Sequence, residues 1–198
     1  MADGDGSREI ERLLAAARTK DQQALGALLE QSLGRLRAFV RLNLGAELRA
    51  HEEDQDIVQS TCREAVEHFP QFEGHSEGEW LGWLVTTARN KLRARHRFWR
   101  RERRAGAATP LSALEDAGLV RAYVSVLTPG KLAAGAEAAA RIEAALDGLS
   151  AEHREVITLA RIFGLPHAQI AGIMGRTEVA VRQLLVRALR TLTAALDR

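Results

Sequence analysis

Apolar residues recur at helical spacing through most of the chain. From about residue 20 onward they fall three or four positions apart, which is the spacing of one buried helix face. The first such face contains Leu25, Leu28, Leu29, Leu36, Phe39 and Val40. The pattern breaks at the stretch "FPQFEGHSEGE", where proline and glycine interrupt it, and resumes at Trp80 as a long amphipathic helix. It fades again after about residue 104 and returns at "ARIEAALDGL".

This pattern predicts an all-α protein with two small helical domains joined by a flexible linker. The length of 198 residues suits two small domains, and aromatic residues make up only 5% of a chain rich in alanine and leucine. We predict a flexible N-terminal tail at residues 1–19, a first domain at 20–104, a linker at 105–139 and a second domain at 140–198. The linker assignment rests on its Ala, Gly, Ser, Thr and Pro content.

The stretch "LPHAQIAGIMGRTEVAVRQLL", residues 165–185, contains two short helical patterns that meet at a glycine. We expect Gly175 to end the first helix, because glycine readily adopts the left-handed backbone found there. Small Ala171 lets the next helix cross closely. Thr177 is expected to cap the second helix, and Glu178 is favoured in its first turn by the helix dipole. This arrangement predicts a helix-turn-helix.

The second helix of this motif has an apolar stripe and an exposed polar side. The residues expected in the stripe are Val181, Leu184, Leu185, Ala188 and Leu192. Arg182, Gln183 and Arg187 fall on the other side, near the end of the helix where base edges are read. A packed helical hairpin with solvated arginines would explain the stripe, but it gives no reason for Arg182 and Gln183 at that end. DNA binding explains both.

A dense basic stretch, "ARNKLRARHRFWRRERR", carries much of the positive charge in a chain whose formal net charge is only +2. On a helix that begins near Trp80, Arg89, Asn90, Arg93 and Arg97 share one face. Arginine forks suit DNA phosphates, because each cation that neutralises a phosphate releases counterions. Phe98 and Trp99 at the end of this stretch either stack on bases or anchor the helix end, and the sequence does not decide between the two.

The sequence offers no enzyme site. The single cysteine, Cys62, excludes an internal disulfide and lies in no metal-ligand or nucleophile pattern, so we expect a buried thiol, no metal and no cofactor. The acidic run "HEEDQD" lacks the glycine and alternation of a calcium loop. No apolar run approaches the roughly 20 residues that cross a bilayer, and the start lacks a secretory signal. We therefore predict a cytoplasmic protein with no membrane and no small-molecule substrate among its partners.

Two separate parts of the chain resemble the sigma-70 family of bacterial RNA polymerase sigma factors, and the small extracytoplasmic-function (ECF) subgroup fits best. Residues 146–192, "LDGLSAEHREVITLARIFGLPHAQIAGIMGRTEVAVRQLLVRALRTL", resemble sigma region 4. The stretch "DIVQSTCREAVEHFPQFEG" resembles region 2.2, and "EWLGWLVTTARNKLRARHRF" resembles regions 2.3 and 2.4. The two matches stand in the family's order. The resemblance therefore implies that residues 20–104 form sigma region 2 and residues 140–198 form sigma region 4.

The resemblance also implies roles for individual residues. Region 2.2 grips the polymerase clamp in this family, which implicates Asp56, Ile57 and Gln59 in binding core RNA polymerase. Regions 2.3 and 2.4 open and read the promoter minus-ten element, which implicates Arg89, Asn90, Arg93, Arg97, Phe72 and His75. In related sigma factors an asparagine matching Asn90 helps to hold the flipped minus-ten base. The region 4 helix lies in the minus-thirty-five major groove, which implicates Thr177, Glu178, Arg182, Gln183 and Arg187.

The function expected on this basis is promoter recognition and opening with core RNA polymerase in transcription initiation. Promoter DNA and core polymerase are the expected partners, and an anti-sigma protein is a further candidate. A different class of protein, a stand-alone helix-turn-helix regulator, remains the alternative, and binding to core polymerase separates the two. A third hypothesis is a metal or thiol enzyme built around Cys62.

Overall fold

The computed structural model describes residues 3–102 and 132–196, and within these ranges it contains helices and loops but no strand. The N-terminal lobe comprises α1 Asp3–Arg18, α2 Gln22–Arg49, α3 Asp54–His68 and α4 Glu77–Glu102, with a 3₁₀ turn at Phe69–Gln71 before α4. The C-terminal lobe comprises α5 Leu132–Asp147, α6 Ala151–Ile157, α7 His167–Met174 and α8 Glu178–Leu196, with a π-helical turn at Thr158–Ile162 after α6. The all-α prediction is confirmed. Of the predicted linker, residues 105–131 lie outside the described ranges, and residues 132–139 are part of α5.

Helix α1 occupies most of the segment for which we predicted a flexible tail. Its buried face consists of Ile10, Leu13, Leu14 and Ala17, spaced as one side of a helix. This face packs mainly on α2. The start of the chain is polar and rich in glycine, and this composition hides the apolar spacing that begins at Ile10. The apolar contact with α2 orders a segment whose composition alone suggests a tail.

Trp80 anchors the core of the N-terminal lobe. Its side chain is fully buried on α4, and its Nε1 donates a hydrogen bond of 2.8 Å to Ser32 Oγ on α2. Phe69 and Phe72 pack against its ring at centroid distances of 6.0 and 5.7 Å. The buried indole therefore has a partner for its one polar group, as burial requires. Trp80 therefore lies on the buried face of α4.

The two lobes pack against each other along α2. The Phe39 ring of α2 meets the Phe163 ring edge-on, with centroids 5.6 Å apart. Beside it, Asn43 Nδ2 donates to Thr158 Oγ1 over 3.1 Å. Both phenylalanine rings are buried, the hydrogen bond is partly buried, and the apolar core continues from one lobe to the other. Within the described residues the two lobes therefore share one apolar core. We call this packing of the lobes the closed arrangement.

A kink in α2 makes room for this packing. Gly45 has a left-handed backbone with φ of +72°, a conformation that residues with a side chain seldom adopt. A Cβ at this position would lie 3.3 Å from the Arg154 Nη1 of the C-terminal lobe. Further along the interface, Arg41 Nε contacts Glu143 Oε1 over 2.6 Å, and Arg49 pairs with Asp147. Charged side chains thus border the apolar contact between the lobes.

Candidate nucleic-acid and polymerase interfaces

The turn between α7 and α8 has the geometry of a helix-turn-helix. Helix α7 ends at Gly175, whose left-handed backbone (φ +66°, ψ +39°) lets the Arg176 N–H reach back to the Ala171 carbonyl over 3.0 Å. Thr177 Oγ1 then accepts a hydrogen bond of 3.2 Å from the Ala180 N–H at the start of α8. Both the glycine stop and the threonine cap are confirmed. The turn is fixed by local hydrogen bonds, so it orients α8 rigidly on α7.

Helix α8 buries one side and exposes the other. The predicted stripe is buried and extends by one residue, and its members are Val181, Leu184, Leu185, Ala188, Leu189 and Leu192. Arg182, Gln183 and Arg187 are exposed. Arg182 Nη2 donates to Glu178 Oε1 over 3.2 Å, and Arg187 Nε donates to the Gln183 carbonyl over 3.3 Å. Exposed pairs of this kind contribute only about 0 to 1 kcal/mol, so both guanidinium groups are free to turn towards DNA.

Val186 is a residue of this surface that sequence reasoning missed. Its side chain is 47% exposed, although it is apolar and lies in a helix with a well-filled core. Together with Arg182, Gln183 and Arg187 it lines an open groove on α8. An apolar side chain among donors suits a base edge that carries a methyl group, as thymine does in the major groove. The available signal was its position off the buried stripe.

The positive charge of Arg187 on α8 affects the titration of His153 on α6. The pKa of His153 lies below its ordinary value because burial disfavours the charged ring, and Arg187 lowers it further, while Glu152 opposes both. The Arg187 guanidinium therefore raises the electrostatic potential at the start of α6. This adds to the positive surface on the exposed side of the helix-turn-helix.

The basic face of α4 is open along its second half. Asn90, Arg93 and Arg97 are all exposed. The sequence left open whether Phe98 and Trp99 stack on bases or anchor the helix end, and the structure gives each residue a different role. The Phe98 ring is exposed, whereas Trp99 stacks on His51 at a centroid distance of 4.4 Å and donates from Nε1 to Glu52 over 3.2 Å. Trp99 thus anchors the helix end, and Phe98 remains available to stack on a base.

Arg89 does not share this open face. Its side chain is only 12% exposed, because its Nε pairs with Glu155 of α6 and its Nη1 donates to the Ile173 carbonyl of α7. Nearby, Gln169 Nε2 donates to the Gly78 carbonyl over 2.8 Å. A Cβ at Gly82 would lie 2.7 Å from the same Nε2 atom, so the glycine allows this close approach. The C-terminal lobe therefore covers one face of the first half of α4, including Arg89, which the sequence assigned to DNA.

The loop before α4 separates its two predicted DNA-binding residues. The Phe72 side chain is 8% exposed and packs against Trp80 and Trp83, so its ring belongs to the core rather than to a DNA surface in this conformation. The hydrophobic gain of burying an aromatic ring explains this placement. His75 is exposed. The structure thus keeps His75 as a surface residue and corrects the expected accessibility of Phe72.

The residues predicted to contact the polymerase on α3 also differ in exposure. Asp56 and Gln59 are exposed on one side of the helix. Ile57 is only 2% exposed and packs into the core, because it lies on the apolar stripe of α3. Its side chain is therefore inaccessible to a partner in this arrangement. Asp56 and Gln59 remain as the exposed members of the predicted set.

Comparisons with known proteins match this geometry. Residues 139–192 match the family model described as Sigma-70, region 4, which covers the helix-turn-helix. The chain is 30% identical over 201 residues to the ECF RNA polymerase sigma factor BldN of Streptomyces coelicolor, covering 98% of this chain and 68% of that protein. It is 27% identical over 184 residues to the ECF RNA polymerase sigma factor SigD of Mycobacterium tuberculosis, covering 92% of this chain and 82% of SigD.

This protein belongs to the ECF sigma factors of the sigma-70 family. Solved structures of related folds agree with this sigma factor over most of its length. One is CnrH in complex with the cytosolic domain of CnrY, with a TM-score of 0.59, 24% identity and coverage of 96% of this chain and 97% of CnrH. Another is the sigma factor RpoE of Bartonella quintana in complex with the anti-sigma factor NepR, with a TM-score of 0.61, 24% identity and coverage of 87% and 96%.

Cys62 of this sigma factor lies on α3. The thiol is half-buried, and burial raises its pKa, so it stays protonated near neutral pH. Across residues 3–102 and 132–196, no three His, Cys, Asp or Glu side chains are grouped so that they could hold a metal ion. None of the described helices is both long and apolar enough to span a membrane.

Proposed function

We propose that this sigma factor binds core RNA polymerase through α3 and directs it to promoters by reading the minus-thirty-five element with α8 and the minus-ten element with α4. The observation that carries the proposal is the pair of exposed basic helix faces, one on each lobe. Arg182 and Arg187 lie on the first, and Arg93 and Arg97 lie on the second. In this proposal the protein recruits core polymerase and positions it on the promoter in the bacterial cytoplasm. The polymerase carries out the catalysis.

The exposed side of α8 supports a division of labour. Arg182 and Gln183 lie one turn into the helix, and their side chains can each form two hydrogen bonds with a base edge. A good bidentate contact gives about 1 to 3 kcal/mol of discrimination between bases. Arg187 lies a turn later and is suited to a phosphate, which positions the helix without reading sequence. Thr177 and Glu178 at the start of α8 complete the predicted contact set.

Asn90 is proposed to hold a base of the opened minus-ten element. Extruding a base from the stack costs about a few kcal/mol, so a pocket must compensate for the lost stacking. The Asn90 amide both donates and accepts, and can therefore bond to a base edge in a way that an arginine cannot. Asn90 is exposed on α4, one turn before Arg93. The arginines of this face are assigned to the DNA backbone.

The closed arrangement of the lobes does not fit a promoter. Elements named minus ten and minus thirty-five lie about 25 base pairs apart, which is about 85 Å at about 3.4 Å per pair. A compact chain of this length has a radius of gyration of about 16 Å, so its two reading helices cannot reach both elements. The segment between Glu102 and Leu132 has a contour of about 95 Å when fully extended. We therefore propose that the lobes separate when the sigma factor binds a promoter with the polymerase.

Reconstitution with core RNA polymerase tests the proposed function. The sigma factor is mixed with core enzyme and genomic DNA, and the 5′ ends of transcripts that appear only in its presence are sequenced. We expect a set of start sites with a shared minus-ten and minus-thirty-five sequence. A protein that neither binds core enzyme nor yields new start sites would instead be a stand-alone DNA-binding regulator.

A further inference from the structure

The loop between the 3₁₀ turn and α4 is held by short-range contacts at both ends. The Phe72 ring is fixed in the aromatic core, and a Cβ at Gly74 would lie 2.4 Å from its Cζ atom, so only glycine fits there. At the other end, Glu79 Oε2 accepts hydrogen bonds from the His75 N–H, the Ser76 N–H and the Ser76 hydroxyl at 2.9, 3.0 and 2.8 Å. These donors hold the pKa of Glu79 below its ordinary value. Between these anchors the Phe72 and Gly74 carbonyls accept hydrogen bonds from outside the loop.

Arg18, the last residue of α1, donates these hydrogen bonds. Its Nη2 donates to the Gly74 carbonyl over 2.7 Å and to the Phe72 carbonyl over 3.3 Å. Its Nη1 lies 3.2 Å from His75 Nε2. A planar guanidinium offers several donors in a fixed fork, so one side chain satisfies two carbonyls and one ring nitrogen. A lysine, with one compact ammonium, cannot reproduce this set.

The contact also fixes the chemistry of the His75 ring. Arginine only donates, so this contact favours the neutral tautomer in which Nε2 accepts and Nδ1 carries the proton. His75 is exposed and lies in the loop that leads into α4, the helix on which Asn90 is also exposed. In this tautomer the Nδ1–H is the donor that the ring can offer to a ligand. Donors of fixed direction are what a surface needs in order to select among unpaired bases.

Holding α1 in place does not require Arg18. The helix is already attached by its buried face, which includes Leu13, Leu14 and Ala17. Arg18 itself is exposed, and exposed hydrogen bonds contribute little to folding stability. Its three contacts all fall on one loop that lies more than 50 residues away in the sequence. The arrangement therefore serves the conformation of the loop more than the stability of the lobe.

We propose that Arg18 is a positioning residue for minus-ten recognition, which shapes the Phe72 to His75 backbone and sets the His75 ring to meet an unpaired DNA base. This inference rests on the proposed function, because it assumes that the loop faces the opened minus-ten element. It adds α1 to the parts of the sigma factor that determine which base is accepted.

The experiment uses holoenzyme assembled from core RNA polymerase and the full chain. The probe is a fluorescent single-stranded oligonucleotide that carries the non-template minus-ten sequence of a promoter found by transcript mapping. We expect Arg18→Ala and Arg18→Lys to bind it roughly 5- to 10-fold more weakly than the parent and to relax the base preference in selections from randomised oligonucleotides. The matched control is Arg12→Gln on the same helix, whose guanidinium contacts Glu9 of α1. It should bind and select like the parent.

A second readout follows the ring itself in the free protein. The ¹⁵N shifts of His75 should report one tautomer in the parent and in Arg12→Gln, and a mixture in Arg18→Ala. Helicity and the thermal transition should be the same in all of these proteins. If both Arg18 variants bind and select like the parent while the parent still prefers its minus-ten oligonucleotide over a scrambled one, the inference is overturned and the proposed function stands. If the parent holoenzyme shows no such preference, the proposed function fails and the inference fails with it.

Discussion

The contact between Arg89 and Glu155 predicts how readily the two lobes separate. Both side chains are largely removed from solvent, at 12% and 14% exposure, and they belong to opposite lobes. Replacing Glu155 with Gln keeps the size of the side chain but removes its charge. Arg89 then retains its hydrogen bond to the Ile173 carbonyl but loses its ionic partner. The open form does not suffer this loss, because there water surrounds both groups.

The expected shift follows from the strength of a hydrogen bond to a charged group. Such a bond contributes about 1.5 to 3 kcal/mol, and each 1.4 kcal/mol is a factor of about ten. The amide oxygen that replaces the carboxylate can still accept from Arg89, so about half of this contribution is lost. We therefore expect Glu155→Gln to raise the ratio of open to closed protein by roughly 4- to 12-fold. The apolar contact of Phe39 with Phe163 is unaffected, so the closed form is weakened but not abolished.

Distances between spin labels measure this ratio. In a Cys62→Ser background, labelled cysteines replace Glu67 and Arg190, which are exposed on opposite lobes. Pulsed electron paramagnetic resonance should show a larger population of long distances between the two labels in Glu155→Gln than in the parent. The same variant should also bind a single-stranded minus-ten oligonucleotide more tightly, because Arg89 becomes available.

Glu152→Gln is the matched control for this prediction. Glu152 lies on the same helix and contacts Arg176 over 2.6 Å, but that pair is exposed and lies within one lobe. It should leave the distance distribution unchanged. Equal distributions for the parent and Glu155→Gln, under conditions in which some open protein is detected, would refute the view that this ion pair holds the lobes together.

Three further predictions concern the interfaces themselves. Changing Asp56 and Gln59 together to Ala should weaken pull-down of core polymerase while circular dichroism stays unchanged, and undiminished binding would remove them from the interface. In α8, Gln183→Ala should alter the preferred minus-thirty-five sequence, whereas Arg187→Ala should lower affinity for all sequences and reduce its salt dependence, with the reverse pattern contradicting the assignment. Asn90→Ala should slow promoter opening, seen as permanganate reactivity of minus-ten thymines, and a premelted promoter should restore part of the loss. Opening at the parent rate would place the base pocket elsewhere.

The helix-turn-helix was predictable because its signals are local. Gly175 ends α7 through a backbone conformation that glycine favours, and Thr177 caps α8 through a hydrogen bond within its own first turn. Neither depends on distant parts of the chain. The same holds for the buried stripe of α8, which follows from helical spacing alone.

Features that depend on long-range packing were not predictable in this way. Arg89 and Arg93 lie one turn apart on the same basic helix, yet only Arg89 is covered by the other lobe. Phe72 precedes the basic helix as a surface residue would, but the nearby Trp80 and Trp83 rings draw it into the core. The sequence of α1 suggests a tail, because the partner of its apolar face is α2 and this contact forms only in the folded protein. In each case the deciding contact joins residues from different helices.

The closed arrangement has a consequence for how the partners cooperate. Separation of the lobes must precede any promoter contact that uses Arg89, so the free energy of the closed contact is subtracted from the affinity of the free sigma factor for DNA. A partner that binds the two lobes apart removes this cost before DNA arrives. If core polymerase is that partner, its binding and promoter binding must favour each other by the same factor, because coupling between two ligands is reciprocal. Weakening the pair between Arg89 and Glu155 should then strengthen DNA binding by the free protein more than DNA binding by the holoenzyme, in which the lobes are already apart.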